Sequence, residues 1–243
     1  EIYDINMENR QMTKIGIIGA MELEVEQLKA AMYADHVVTV AGMEFHEGAL
    51  NGADVVVVRS GVGKVSAAMC TQILADHFHV THVINTGVAG SLNAALDIGD
   101  ILISTDAVHH DVDATVFGYR PGEVPQLGVW NFEADQKLAE LAEQSCRKVN
   151  PELGVHLGRV VSGDQFISSD EVKKNLIEKF EADCVEMEGA AIAQAAKLNN
   201  IPFVVIRAIS DKADNSAEMD YPAFEREAAK HSARLVEDMV RGI

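Results

Sequence analysis

Cationic side chains are scarce in this sequence. Lys and Arg number 20 against 38 Asp and Glu, a formal charge of −18 over 243 residues. A surface that negative repels phosphate backbones and anionic lipid, which argues against nucleic acid or a membrane as partner and leaves a small ligand open. Cysteine is rarer still: Cys70, Cys146 and Cys184 are scattered, odd in number and form no CxxC pair. Neither a disulfide frame nor a zinc cage is implied, and buried apolar thiols are expected. No apolar run reaches the roughly 20 residues of a membrane helix. The first twelve residues, EIYDINMENRQM, are polar and lack an apolar signal core. These shortages together predict a cytoplasmic protein. A Pro/Ser-rich linker, a charge block and an internal repeat are also missing. Residues 13–243 therefore read as one domain, with 1–12 as an N-terminal extension or a remnant of expression.

What is present is ordinary for a globular chain: 48% apolar and 24% charged residues, which excludes global disorder. Buried strands are predicted at Lys14–Gly19, Phe45–Leu50, Asp54–Arg59, His82–Asn85, Asp100–Thr105, Gly158–Ser162, Asp183–Glu186 and Pro202–Ile209. Helices are predicted over Glu22–Ala34, Lys64–His77, Phe132–Val149, Ser169–Phe180, Gly189–Leu198 and Tyr221–Val240, with Ser169 as an N-cap. Strands and helices alternate throughout, which predicts an α/β fold, a three-layer α/β/α sandwich. Residues 109–132 are broken by glycine and proline and hold no period, so they read as a functional or interface loop.

Several familiar motifs fail. GVGK at 61–64 resembles the end of a phosphate-binding loop, but Val58 stands where the first glycine belongs and Val65 where Ser or Thr would bind magnesium. The first strand ends GIIGA, so the dinucleotide pattern GxGxxG is absent, and neither GxSxG nor HExxH occurs. His109-His110-Asp111 could ligate a metal only with special geometry, and an interface or capping role is expected instead.

Acidic residues at strand ends survive this filter: Glu22 and Glu24, Glu186 and Glu188, and Asp211. Each has a bland reading, since Glu complements a helix start and Asp caps turns. Their joint occurrence after different strands points to one site, because strand ends converge in α/β folds. Two carboxylates flanking one bond suit glycosidic cleavage, one ionised to activate water and one protonated to serve the leaving group. An Asp with an ordinary pKa near ~3.9 must be desolvated or set near another anion to hold that proton.

Seven segments occur in order: GIIGAMELEV (16–25), SGVGKVSAA (60–68), NTGVAG (85–90), HDVDATVFGY (110–119), VSGDQFI (161–167), VEMEGAA (185–191) and FVVIRAISDKAD (203–214). Over about residues 13–240 the chain resembles the 5′-methylthioadenosine/S-adenosylhomocysteine nucleosidases, a branch of the purine nucleoside phosphorylase superfamily. The resemblance implies a mixed central sheet, a homodimer and no metal or organic cofactor. It implies hydrolysis of adenine thionucleosides, and of 5′-deoxyadenosine, to adenine and the sugar. Carried over by motif, Glu24 activates water and Asp211, beside Ser210, protonates adenine N7. Glu188 accepts from the ribose hydroxyls next to Glu186, Met187 packs on the sugar, and Arg207 helps hold the water and orient Glu24. Phe166 stacks on adenine and the Ile167 backbone pairs with its edge. Ala20 and Met21 line the sugar side, Val62 and Tyr221 the 5′-thio pocket, and Phe117 reaches in from the partner subunit. The family loop NTGSAG carries a serine where this chain has Val88, which removes a hydroxyl near the sugar.

Other readings remain. A phosphorolytic enzyme of the same fold would need cationic cradling, yet the first loop offers Glu22 and Glu24, which favour water over an anion. A hydrolase of aminodeoxyfutalosine would share the catalytic groups and differ only in the 5′ pocket. A non-catalytic purine-binding module would have no use for an aligned proton donor.

Overall fold

The structure, a computed structural model, describes residues 12–243. The extension expected at 1–12 therefore lies outside the described residues apart from Met12, which is exposed. Strands β1 (Lys14–Gly19), β2 (Tyr33–Val40), β3 (Met43–Leu50), β4 (Ala53–Arg59), β5 (His82–Ser91), β6 (Ile101–His109), β7 (Phe132–Glu133), β8 (Val155–Ser162), β9 (Cys184–Glu186) and β10 (Phe203–Asp211) alternate with helices. The helices are α1 (Glu22–Ala31), α2 (Lys64–Asp76), α3 (Gln136–Val149), α4 (Asp170–Phe180), α5 (Gly189–Leu198) and α6 (Ala217–Met239).

The strands form one mixed sheet, as expected, and part of it closes on itself. β2-β3-β4-β1-β5 make an open arm, and β5-β10-β6-β8-β9 return to β5 as a ring. β5 pairs parallel with β1 and β10 and antiparallel with β9. The β-branched run Val55–Val58 explains the arm's centre: all four residues are fully buried between β1 and β3. α1, α3 and α6 pack on one face around Leu28, Leu138 and Leu235; α2 and α5 cover the other around Leu74 and Ile192.

Departures from expectation have physical reasons. Helix α1 stops at Ala31 and β2 begins at Tyr33. β2 is the sheet's edge, and its mostly exposed residues lack the apolar alternation that marks a strand. Helix α3 starts after β7, where Asp135 accepts a hydrogen bond from the Leu138 amide at 2.9 Å. Ser169 caps α4, as predicted. β5 runs six residues past Asn85, through the TGVAG loop to Ser91. α6 starts at Ala217 and carries Pro222 inside its second turn.

Candidate active site

Strand ends place the acidic groups in one cleft. After β1, the chain turns at Ala20-Met21 into α1, and Glu24 is the third helical residue. Its carboxylate reaches back: Oε2 accepts from the Ala20 and Met21 amides at 2.7 and 2.9 Å, and Oε1 from the Val88 amide of β5 at 3.1 Å. A glutamate there ordinarily closes a capping box. Here the same bonds aim a buried carboxylate into the cleft. Burial pushes its pKa up, against the pull of the Arg207 cation and the three amides.

Arg207 sits mid-way along β10, a strand buried at every residue, and is itself fully buried. An isolated cation could not remain there. Its Nη2 donates to Asn85 Oδ1 at 2.6 Å and to the Glu186 carboxylate, and lies 3.7 Å from Glu188 Oε2. Glu186 also accepts from Ser162 Oγ and from the Glu188 and Gly189 amides. Gly87 explains how the guanidinium and the Glu24 carboxylate meet: a Cβ there would clash with both Arg207 Nη1 and Glu24 Oε1. Glu188 caps the gap between β9 and α5 and accepts from the Gly63 amide at 2.8 Å. Burial, then the neighbouring Glu186 charge, push its pKa up.

Asp211 ends β10 at a bulge against Gly90. Its carboxylate accepts from Ser210 Oγ at 2.9 Å and from the Ala213 amide at 2.8 Å. Only 2% of it is exposed, and burial raises its pKa, with Asp220 and Asp214 adding to the rise and the two hydrogen bonds opposing it. The desolvation that a proton-holding aspartate requires is therefore present.

Glu24 and Asp211 line the same cleft, of about 470 Å³. Ala20, Met21, Val62 and Val88 line it with them, as do Phe166, Glu186, Met187, Glu188, Ser210 and Tyr221. The Phe166 and Tyr221 rings meet edge to face, centroids 5.4 Å apart, and Tyr221 Oη approaches Met21 Sδ at 3.4 Å. Three expected residues stand elsewhere. Arg207 acts from behind the wall, Ile167 is buried beside α4 in the cluster with Leu176, and Phe117 is 81% exposed on a short 3-10 turn. Sequence reasoning missed Asn85, Ser162 and the wall residues Ala89, Gly90 and Val185. All five lay inside segments already singled out: Asn85, Ala89 and Gly90 in NTGVAG, Ser162 in VSGDQFI and Val185 in VEMEGAA. His109, offered as an interface or capping residue, bonds Gln194 through Nε2 at 2.8 Å, and Asp111 pairs with Lys64. Among the described residues no group of three or more His, Cys, Asp or Glu side chains could hold a metal ion.

The model of the phosphorylase superfamily matches residues 14–241. A 5′-methylthioadenosine/S-adenosylhomocysteine nucleosidase of Staphylococcus haemolyticus is 43% identical over 228 residues, 93% of this chain and 99% of that protein. The chain belongs to this nucleosidase family. The crystal structure of the Neisseria meningitidis nucleosidase with methylthio-immucillin-A superposes with a TM-score of 0.92 at 41% identity, covering 96% of this chain and all of that one. A Helicobacter pylori futalosine hydrolase structure is similar at 34% identity and a TM-score of 0.90, covering 96% of this chain and 99% of its own.

Proposed function

We propose that this nucleosidase hydrolyses the N-glycosidic bond of 5′-methylthioadenosine and S-adenosylhomocysteine, releasing adenine and the 5′-thioribose. The observation that carries the reading is the pair of buried carboxylates, Glu24 and Asp211, on one cleft. Asp211 gives its proton to adenine N7 as the C1′–N9 bond breaks, and the bonding pair leaves with neutral adenine. Glu24 takes a proton from the water whose oxygen bonds C1′. The ribosyl cation that develops is stabilised by carboxylate charge beside the sugar. Glu188 accepts from the ribose hydroxyls, held in place by the Gly63 amide. Arg207, fixed by Asn85 and Glu186, steadies the water and Glu24. Phe166 stacks on adenine, the Ile167 backbone pairs with its edge, and Met187 packs on the sugar.

We also infer that a second copy completes the site. An open apolar groove between α2 and α5 is lined by Val65, Ala68, Met69, Ala195 and Leu198, and it includes His109 and Val112 at the root of the loop carrying Phe117. Burying that groove in a homodimer would bring Phe117, exposed in one chain, to a partner's cleft. A sedimentation measurement showing a monomer that is fully active would refute it. The buried free thiols Cys70, Cys146 and Cys184 suit a reducing compartment, in keeping with the cytoplasm.

Product analysis on a panel of 5′-substituted adenosines, with and without phosphate, tests the reaction. Adenine release in phosphate-free buffer is the expected result, and strict phosphate dependence would overturn it. Preference for aminodeoxyfutalosine would move the chain toward the function of the futalosine hydrolase it resembles.

A further inference from the structure

Three segments meet: 60–64, entering α2; 110–113, after β6; and 163–168, after β8; Val62 and Phe166 of the first and third line the cleft. One set of bonds ties them. Asp164 Oδ1 accepts from the Lys64 amide at 2.8 Å, Asp111 Oδ2 accepts from the Asp164 amide at 2.9 Å, and the Lys64 ammonium pairs with Asp111 Oδ1. The adjacent amide in the chain, that of Gly63, is the donor that holds Glu188. Gly63 has φ +98°, which favours glycine, and a Cβ on it would lie in tight contact, 3.0 Å, with Asp164 Oδ1. Phe166 and Ile167 follow Asp164 by two and three residues, and Phe117 follows Asp111 by six in the same connection.

We propose that Asp164, Lys64 and Asp111 form a positioning latch that sets the adenine-stacking loop against the amide holding the ribose glutamate. The inference rests on the reading of Phe166 and Glu188 as adenine and ribose contacts. Two consecutive amides, Gly63 and Lys64, point to the two halves of one nucleoside site through Glu188 and Asp164. The latch therefore fixes the spacing between base and sugar subsites. It touches no reacting atom. Its loss acts on binding, since a loop free to move must be ordered by the substrate.

The test combines steady-state kinetics on 5′-methylthioadenosine with calorimetric titration of adenine, on the parent, Asp164→Ala, Asp164→Asn and Asp111→Ala. Losing a hydrogen bond to a charged acceptor predicts a KM raised about tenfold in Asp164→Ala, and adenine affinity weakened by a similar factor, with the loss in KM exceeding any loss in kcat. Asp164→Asn keeps the oxygen that accepts from Lys64 and is expected to recover most of the affinity. Asp111→Ala shifts KM the same way by less. Should Asp164→Ala fail to fold, the KM of Asp111→Ala decides in its place. Unchanged KM and adenine affinity, a loss confined to kcat and melting temperature, or equal impairment of the Ala and Asn variants overturns the latch. A parent that neither binds adenine nor cleaves the nucleoside overturns instead the reading of the cleft on which the latch depends.

Discussion

The two carboxylates at the heart of the cleft are both buried and held in opposite ways. Glu24 is gripped by three backbone amides, and Arg207 lies behind Gly87 at its side. Asp211 has one amide, one hydroxyl and two further carboxylates, Asp220 and Asp214, raising its pKa. Burial raises the pKa of both. A cation and three amides oppose the rise at Glu24, whereas like charges add to it at Asp211 and only two hydrogen bonds oppose it. Substitutions at the two sites are therefore expected to diverge.

The largest effect is expected from Glu24→Gln. Its single acceptor oxygen cannot serve three amides, and its own NH2 group would confront a donor. Loss of the base lowers kcat by about 10²–10⁴-fold. An amide left unsatisfied costs about 1–3 kcal/mol and lowers Tm by about 2–10 °C, readable by calorimetry. Asp211→Asn is expected to match the loss of turnover, about 10²–10⁴-fold, without the loss of stability. Asparagine Oδ1 still accepts from Ala213, and its NH2 can donate to the Ser210 hydroxyl. Nucleoside affinity, measured by calorimetry, should survive in it. Equal Tm losses in the two variants would break the comparison.

Smaller changes sharpen it through pH. Proton donation needs Asp211 protonated, so kcat/KM should fall as pH rises through its raised pKa. Water activation needs Glu24 ionised, so the rate should climb on the acid side as pH rises through the Glu24 pKa. Ser210→Ala removes a bond that favours the charged form of Asp211. The alkaline limb should then move to higher pH while the acid limb stays, as a pH–rate profile would reveal. A shift of the acid limb alone would assign the hydroxyl to the other carboxylate. Smallest of all is Val88→Ser. The Val88 amide, not its side chain, holds Glu24, so kcat should change by less than about tenfold, with any effect seen in the ranking of 5′-substituents.

Much of this site was legible because its residues fall in short segments at strand ends. GAMELEV, VEMEG and IRAISD each carry a carboxylate at the end of a strand, and the structure brings all three to one cleft. Residues whose role depends on distant partners were harder to read. Ser162 lies in the VSGDQFI segment, but only packing sets its hydroxyl against Glu186 and the Ala190 amide. Strand β2 escaped because an edge strand with exposed faces leaves no apolar period.

Chain order and the alternation of strand and helix are properties of neighbouring residues, so the amino-acid string alone was enough to determine them, and its short segments were enough to offer candidates for acid and base. Protonation state and reach were not so determined. Glu24 meets the Val88 amide across 64 residues of chain, and Arg207 meets Asn85 across 122. Desolvation and field at a carboxylate are sums over everything packed around it. Only the folded sheet, closing into its ring, brought those carboxylates, amides and the guanidinium together around one cleft.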